Sequence, residues 1–574
     1  MKKHSFILSA IILALGGFFA KAIGAFYKIP LANILGSTGM GIYYLIFPIY
    51  SLLITFCSSG ISVALSTEVA KCRKIRHRYN EQKLLQVSLI LGFVLSLISA
   101  IVIILLSKVL AESQGNINAF LGYVAIAPAI IISTLIATLR GYFQGIENMV
   151  PTTVSMIIEQ IIKLSLGLIL AHRLCVYGIQ YAVLGAVLGV TFSEIVALVI
   201  IVLNFITYKG QLYYNYRNLN YRSKRKMKIH SILKSKTVFN EGKSCRKIVF
   251  RCNSSKVRYT TTVATKKICK IAIPSTFASI IVPISTMLDS FMIINLLMRS
   301  GYSTLVSTSL YGLWGGVVQS LISLPTIIVS AITTSLVPTL SGIIVKNDTN
   351  EISHKVAFFI KLTWILSLIL FVIIFVFAED ILVFLYGDGL SKSVINELYY
   401  ATKMLKITSV SIIYYSFVQT FTVILQTIGK SHLPFYAMLI AIIIRTMAIY
   451  WLVSITNINI FGAIIANIIF LIIATVILAF AVTKYFKLEY KFFNHLLKPL
   501  IIGIVTLLVV WVSHWCLKSV MHYFWSMVIT VIIGILVYIF SVFFGKVFSL
   551  KEIKFLNFSR KKLSKKSKNH VSSG

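Results

Sequence analysis

The sequence contains little charge, and very little of it is negative. Only 12% of its 574 residues are charged, and 16 Asp and Glu stand against 55 Lys and Arg. A soluble domain usually carries about 25% charged residues. Hydrophobic residues make up 58% of the chain, and the mean hydropathy is +0.89. This composition excludes an ordinary soluble fold and predicts a membrane protein.

The chain also lacks the spacings that mark catalytic or metal sites. Its seven cysteines are scattered and show neither a disulfide framework nor a zinc pattern. The histidines have no metal-ligand spacing, and neither a phosphate-binding P-loop nor a Gly-x-Ser-x-Gly nucleophile turn is present. We therefore predict a non-enzyme with no catalytic residues, no metal and no cofactor. Nucleic-acid binding is not expected, because no base-stacking platform is visible.

Long apolar runs are what the sequence has in abundance. Runs of about twenty residues, the length of a transmembrane helix, recur to the C-terminus. The predicted spans are 5–27, 41–65, 84–110, 118–139, 151–172, 181–206, 268–297, 310–340, 356–378, 396–425, 434–454, 459–483, 498–517 and 523–545. The predicted fold class is an all-α polytopic membrane protein with about 14 transmembrane helices.

The distribution of Lys and Arg predicts the orientation. Most basic residues fall at the N-terminus, in the loops on its side of the membrane and in the C-terminal tail. The opposite loops hold only Lys28, Lys108, Arg173, Arg299, Lys392 and Lys518. Loops rich in Lys and Arg stay in the cytoplasm. We therefore predict a multi-pass protein of the bacterial plasma membrane with both termini cytoplasmic.

The two halves of the chain resemble each other. A turn that contains Gln and Gly, then a proline and an apolar helix with buried charge, occur at 143–163 and again at 425–445. This repeat predicts two pseudo-symmetric six-helix lobes, followed by two C-terminal helices. The predicted divisions are a first lobe (1–206), a basic cytoplasmic loop (207–267), a second lobe (268–484), spans 13 and 14 (485–545) and a basic tail (546–574). Transporters built from such repeats bind substrate between the lobes.

Four cations lie deep enough in predicted spans to line such a site. Lys21 and Lys28 share one stripe of the first span with Gly17 and Gly24. Lys163 and Arg445 occupy corresponding positions in the fifth and eleventh spans. Charges inside a membrane are rare and usually functional. We expect an anion-accepting cavity; the alternatives are interfacial snorkelling for Lys28 and structural ion pairs for Lys163 and Arg445.

Three buried acids accompany these cations. Glu159 precedes Lys163 by four residues, so the two side chains share a helix face and can form an ion pair. Asp289 and Glu194 stand within the seventh and sixth spans. Each acid either balances a cation or takes up a coupling ion, H⁺ or Na⁺.

Other polar residues lie at the cytoplasmic ends of their spans. Glu68, Arg140 and Gly145 are predicted to form an interface or gate there. Pro274, Pro283, Pro325 and Pro338 predict bends in the seventh and eighth spans. The basic loop and tail are expected either to bind anionic membrane lipids or to be solvated.

Several stretches resemble one transporter family. They are Gly16 to Pro30, Leu35 to Gly41, Arg140 to Gln160, Ser335 to Pro338 and Leu425 to Lys430. They resemble the polysaccharide-transport branch of the MOP flippase superfamily, in particular its stage V sporulation protein B (SpoVB) group, which is related to the MurJ lipid II flippases. MurJ-type members have arginines in the first span and another in the eighth, whereas this chain has lysines and Gln319.

The resemblance implies a flippase for an undecaprenyl-pyrophosphate-linked oligosaccharide. The expected substrate is a peptidoglycan precursor such as lipid II, used for cell-wall or spore-cortex synthesis, and proteins of cell-wall synthesis are candidate partners. The family places cations of the first span in the central cavity, which corresponds to Lys21 and Lys28. Two alternatives stay open: a MATE-like exporter of soluble cations, and a non-transporting membrane scaffold for envelope assembly.

Overall fold

The computed structural model describes most of the chain. The described residues are 3–75, 77–234, 258–344, 349–387, 396–455, 458–486, 497–545 and 547. Part of the predicted basic loop (235–257) and nearly all of the predicted basic tail lie outside these residues. The predicted lipid contacts of both segments therefore fall largely on residues that are not described.

The described residues form helices and contain no β-strand. The helices of the first lobe are α1 (Lys3–Ile54), α2 (Gly60–Lys74), α3 (Arg78–Ser113), α4 (Phe120–Gly145), α5 (Val150–Leu174) and α6 (Ile179–Lys234). Those of the second lobe are α7 (Thr261–Arg299), α8 (Thr304–Gly312), α9 (Gln319–Ile344), α10 (Thr349–Val376), α11 (Ala378–Tyr386), α12 (Glu397–Ser409), α13 (Ser411–Thr427), α14 (His432–Val453) and α15 (Ile460–Phe486). The last two are α16 (Lys498–Lys518) and α17 (Tyr523–Phe544).

The first helical stretch contains two membrane spans. In the described part of the chain, 13 stretches are long and apolar enough to cross a membrane, and the first, Ile12–Lys74, has 63 residues. At 1.5 Å per residue it would measure about 95 Å, roughly three times the hydrocarbon thickness of a bilayer. Counting it as two spans gives the fourteen that the sequence predicts, so the predicted fold class is confirmed.

Gly36 separates these first two spans. Its φ of 64° and ψ of −178° interrupt the helix, a conformation that glycine adopts without steric cost. The chain folds back here, because Lys28 Nζ lies 5.3 Å from the centre of the Tyr44 ring. Sixteen residues of straight helix would separate the two by about 24 Å. We call the end of the molecule that holds Gly36 the distal end, and the end nearest the N-terminus the proximal end.

Helical irregularity is found in span 8 rather than in span 7. Helix α7 continues through Pro274 and Pro283 as one element, so the bend predicted there from the prolines stays a prediction. Span 8 instead contains a π-helical turn, Leu313–Val318, between α8 and α9. Such turns occur often at functional sites, and this one lies beside the cavity described below.

The final two helices pack against the second lobe. Tyr538 of α17 donates a hydrogen bond of 2.6 Å to the Ile365 carbonyl of α10. His514 Nε2 of α16 lies 2.9 Å from Asp380 Oδ2 of α11. Helix α6 extends beyond the predicted sixth span as far as Lys234, so the first part of the basic segment continues the span as helix.

Candidate functional site: a cavity between the lobes

A cavity with two adjoining compartments lies between α1 of the first lobe and helices of the second. The aromatic compartment has a volume of about 480 Å³ and the basic compartment about 320 Å³. Ser323, Thr326 and Tyr415 line both. One continuous site therefore combines two chemically different regions.

The basic compartment has lysines on one wall and neutral polar residues on the other. Lys21, Gly24 and Lys28 of α1 form the first wall, and the second includes Ser330 of α9 and Gln419 of α13. The predicted lysine stripe thus faces one space, because residues three and four apart share a helix face. At Gly24 a Cβ would lie 2.8 Å from Gln160 Oε1, so the glycine allows α5 to pack closely against α1 beside this compartment.

Neither lysine of the basic compartment is neutralised by an acid. Among the described residues, no carboxylate lies within ion-pair distance of Lys21 or Lys28. The ammonium group of Lys28 instead lies over the Tyr44 ring, and Tyr44 lines the aromatic compartment. Lys28 therefore stands at the junction of the two compartments, and the positive charge of this region is available to an anion.

The aromatic compartment is lined by rings and by short polar side chains. Its aromatic residues come from both lobes; they are Tyr44, Phe47, Tyr311, Trp314, Tyr415 and Phe470. Its polar residues include Ser51, Gln319 and Asn467. Apolar walls with a few directed polar groups are typical of small-molecule sites. Sequence reasoning missed this compartment, because its rings come from separate helices and have no common motif.

Arg445 and Asp289 form a buried ion pair in the wall of the aromatic compartment. Arg445 Nη2 lies 2.6 Å from Asp289 Oδ2, and Nη1 donates a 2.6 Å hydrogen bond to Ser285 Oγ. The two side chains are only 7% and 8% exposed. Arg445 therefore forms the structural ion pair that was one alternative, and it also lines the cavity, which was the other. Its charge is largely balanced by Asp289.

Some buried polar atoms of the lining residues have no hydrogen-bond partner among the described residues. They are Tyr44 Oη, Trp314 Nε1, Gln419 Oε1 and Arg445 Nε. A buried polar atom without a hydrogen bond costs about 1–3 kcal/mol. Because these atoms lie within the cavity wall and not on its surface, a molecule in the cavity would reach them only if the wall rearranged.

Glu159 pairs with Arg140 rather than with Lys163. Arg140 Nη2 lies 2.8 Å from Glu159 Oε2, and Nε donates to Ser155 Oγ at 3.0 Å. The expected Glu159–Lys163 ion pair is therefore wrong. Lys163 Nζ instead lies 5.4 Å from the Tyr27 ring centre and 5.5 Å from that of Phe47, a cation–π arrangement. Phe47 and Arg445 line the aromatic compartment, but Lys163 does not. Lys163 contacts this compartment only indirectly, through the Phe47 ring.

Glu194 is buried within the first lobe without a basic partner. Tyr50 donates a short hydrogen bond to its Oε1, and Ser133 Oγ lies 3.3 Å from the same tyrosine hydroxyl. Its second oxygen, Oε2, has no hydrogen-bond partner among the described residues. Of the three acids predicted for coupling or charge balance, Glu159 and Asp289 are in ion pairs and Glu194 is not.

The residues predicted for a gate lie near the proximal end of the first lobe. Glu68 of α2 forms an ion pair of 2.7 Å with Lys71, three residues later. Gly145 packs against α2, where a Cβ would lie 2.8 Å from the Ser66 carbonyl oxygen. Arg140 is engaged with Glu159 as described. The gate role of these residues stays a prediction.

Comparison with known proteins identifies the relatives of this chain. Residues 7–239 match the family model "Polysaccharide biosynthesis protein" and residues 274–451 match "MatE". Stage V sporulation protein B of Bacillus subtilis (strain 168) is 24% identical over 492 residues, 86% of this chain and 86% of that protein. Lipid II flippase MurJ of the same organism is 25% identical over 162 residues, 27% of this chain and 30% of that protein.

A solved structure shows the same fold. It is the lipid II flippase MurJ in an inward closed conformation, with a TM-score of 0.59 and 18% identity over 93% of this chain and 99% of that one. The resemblance predicted from the sequence motifs is therefore confirmed. The first half of this multi-pass bacterial membrane protein therefore resembles the polysaccharide biosynthesis family, its second half resembles the MatE family, and its fold is that of the MurJ flippase structure.

Proposed function

We propose that this protein is a flippase that moves an undecaprenyl-pyrophosphate-linked oligosaccharide from the inner to the outer leaflet by alternating access. The proposed substrate is a peptidoglycan precursor such as lipid II, and the proposed role is in cell-wall or spore-cortex synthesis. The observation that carries the proposal is the basic compartment, with unpaired Lys21 and Lys28, joined directly to the aromatic compartment.

The lysines favour an anionic group in the basic compartment. A hydrogen bond to a charged group contributes about 1.5–3 kcal/mol when both partners are present. Two ammonium groups on one face of α1 match a pyrophosphate, which presents several oxygens to neighbouring donors. Lysine acts here as a compact charge rather than as a planar fork.

The aromatic compartment suits the sugar that such a lipid carries. The apolar faces of sugar rings pack against aromatic side chains, and their hydroxyl groups exchange hydrogen bonds with amides and hydroxyls. Ser51, Gln319 and Asn467 supply such groups. Its volume is within the range of about 300–1,000 Å³ found for ligand pockets.

An exporter of soluble cations is the less favoured alternative. Such a protein needs uncompensated acid in its cavity, but Asp289, the acid that lines the aromatic compartment, is already paired with Arg445. The two lysines of the basic compartment would repel a cation. The balance of charge therefore supports an anionic substrate.

The distal end is proposed to face the cell exterior. Basic residues are concentrated on the proximal side, where both termini would be cytoplasmic. In this orientation, substrate enters the basic compartment from the inner leaflet. Glu68, Arg140 and Gly145 would then form part of the cytoplasmic gate region, and Lys163 would support the cavity wall through Phe47.

Glu194 is the proposed site of ion coupling. It is the acid without a cationic partner among the described candidates, and Tyr50 and Ser133 provide further oxygen atoms beside it. Binding of H⁺ or Na⁺ here would neutralise a buried carboxylate that forms no ion pair among the described residues. A gradient of either ion could therefore favour one arrangement of the first lobe over another.

A reconstituted assay tests the function. Purified protein in liposomes is expected to move fluorescent lipid II between leaflets and to leave the uptake of a soluble organic cation at the level of protein-free vesicles. Cation uptake without lipid movement would favour the exporter. Absence of both activities, in protein that remains folded and inserted, would favour the scaffold and remove the flippase proposal.

A further inference from the structure

Three helices from the two lobes meet at the distal end through a small buried polar cluster. Ser37 and Thr38 follow the break in α1, Ser309 lies in α8, and Glu397 is the first residue of α12. Glu397 Oε1 accepts a short hydrogen bond from Ser37 Oγ, and the hydroxyls of Ser37 and Ser309 are 2.5 Å apart. Thr38 Oγ1 lies 3.4 Å from Ser309 Oγ. The cluster therefore joins the first lobe to the second.

Glycines allow the helices to approach closely beside this cluster. A Cβ on Gly312 would lie 2.0 Å from the Ser37 carbonyl oxygen, and one on Gly41 would lie 2.1 Å from that of Thr308. Such distances are far below van der Waals contact, so α1 and α8 touch backbone to backbone. Water and substrate are thereby excluded from this end of the cavity.

Other hydrogen bonds between the lobes surround the same end. Asn116 Nδ2 donates to Thr308 Oγ1 at 3.0 Å, and Gln114 Nε2 donates to Ser290 Oγ at 2.9 Å. All are bonds between neutral groups, each of which contributes little net stability. Contacts of this kind hold two surfaces in register and still allow them to separate.

Glu397 differs from its neighbours because it is a buried acid. It is only 1% exposed, and among the described residues no cation lies within ion-pair distance of it. Its position at the start of α12 gives it the favourable end of the helix dipole. Burial of a carboxylate without a cation is nevertheless costly. Separation of the lobes would return this group to water.

We infer that Ser37, Ser309 and Glu397 form a latch that closes the distal end of the substrate path. The hydroxyl hydrogen bonds stabilise the closed arrangement, and hydration of the Glu397 carboxylate stabilises the open one. Because these two contributions oppose each other, a small change in free energy is enough to shift the protein between the closed and the open state. Lys28 lies seven residues before Leu35, where the helix ends at the Gly36 break, roughly 10 Å along the helix axis, so the latch lies on the distal side of the basic compartment.

A cross-link tests the latch directly. Ser37→Cys and Ser309→Cys are introduced together into a chain whose native cysteines are replaced, and the purified protein is oxidised in liposomes. Because this latch rests on the proposed alternating access, oxidation is expected to lower lipid II flipping at least about 10-fold, and reduction to restore it. The control is Thr363→Cys with Thr420→Cys, whose hydroxyls are 2.9 Å apart within the second lobe; its cross-link should leave flipping unchanged. Equal flipping by the reduced and fully cross-linked Ser37/Ser309 pair would overturn the latch.

Accessibility gives a second test that needs no substrate and retains the native cysteines. Gln319→Cys introduces a thiol into the cavity, and a membrane-impermeant thiol reagent is added outside intact cells. The labelling of the parent chain, which has only the native cysteines, is subtracted. Ser37→Ala removes one hydrogen bond to a charged group, which shifts the equilibrium towards the open state. Labelling should therefore rise by about 10-fold. Glu397→Gln keeps an acceptor for Ser37 but lacks the charge, so it should lower labelling.

The two variants must therefore act in opposite directions. A change in the same direction, or none, would overturn the latch even where lipid II is flipped normally. Opposite changes in a protein that flips no lipid II would support the latch and remove the proposed substrate.

Discussion

The ion pair between Arg445 and Asp289 provides a quantitative test of the cavity wall. Both side chains are buried and their nearest charged atoms are 2.6 Å apart. Asp289→Asn leaves a buried guanidinium without its counter-charge. Removal of one partner of such a pair typically costs about 3–5 kcal/mol, whereas replacement of both by apolar residues of similar size is neutral or stabilising by about 1–4 kcal/mol.

The expected pattern is therefore non-additive. Asp289→Leu, like Asp289→Asn, and Arg445→Met should each lower the midpoint of thermal denaturation in detergent, measured as loss of the monodisperse peak. The double variant Asp289→Leu/Arg445→Met should return close to the parent midpoint. Contacts that couple two sites appear in such cycles as an interaction energy. If the double variant loses as much as the two single variants together, the ion pair does not stabilise the fold as described.

The same variants separate a structural role from a binding role. The double variant retains a packed wall but lacks the Arg445 guanidinium group, and Arg445 is one of the residues that line the aromatic compartment. We expect its flipping rate in liposomes to fall although its thermal midpoint is retained. Parent-level flipping by the stable double variant would show that Arg445 acts on structure alone.

Three further predictions concern coupling, the distal contact and orientation. Glu194→Gln preserves the size of the side chain and an acceptor for Tyr50, so basal flipping should remain. Acceleration of flipping by an applied H⁺ or Na⁺ gradient should be lost; full acceleration would contradict the coupling site. Gly312→Ala should destabilise the contact between α1 and α8 by about 1–3 kcal/mol, and it should therefore raise external labelling of Gln319→Cys. The control is Gly210→Ala, whose Cβ meets nothing within 4 Å and which should leave the labelling unchanged. Cys175 should be labelled only from outside the cell and Cys245 only after permeabilisation; the reverse pattern would invert the orientation.

The sequence predicted those features that depend on local periodicity. The fourteen spans follow from hydropathy, and Lys21, Gly24 and Lys28 meet in one compartment because their spacing places them on one helix face. The position of Arg445 in the cavity wall followed from the internal repeat. These predictions needed no knowledge of which helices pack together.

The rest depends on contacts between residues distant in the sequence. The ion pair of Asp289 with Arg445 joins spans 7 and 11, and no local rule identifies that partner. The four-residue spacing of Glu159 and Lys163 was misleading, because Arg140 of the preceding helix pairs with Glu159. The Lys163 ammonium group lies against two aromatic rings instead. Glu397 was not singled out. The available signal was an acid at the first residue of an apolar span, but its partners come from two other helices.

The contribution of the two cavity lysines to flipping is the measurement that tests the central claim most directly. Lys21→Gln/Lys28→Gln is compared with Lys108→Gln, which changes an exposed lysine of α3 outside both compartments. One lost charge-assisted hydrogen bond, at about 1.5–3 kcal/mol, corresponds to a decrease of roughly 10-fold or more in substrate affinity. We predict that lipid II flipping at limiting substrate falls at least about 10-fold in the double variant and is unchanged in Lys108→Gln. Parent-level flipping by a folded Lys21→Gln/Lys28→Gln protein would contradict an anion-binding cavity between the lobes.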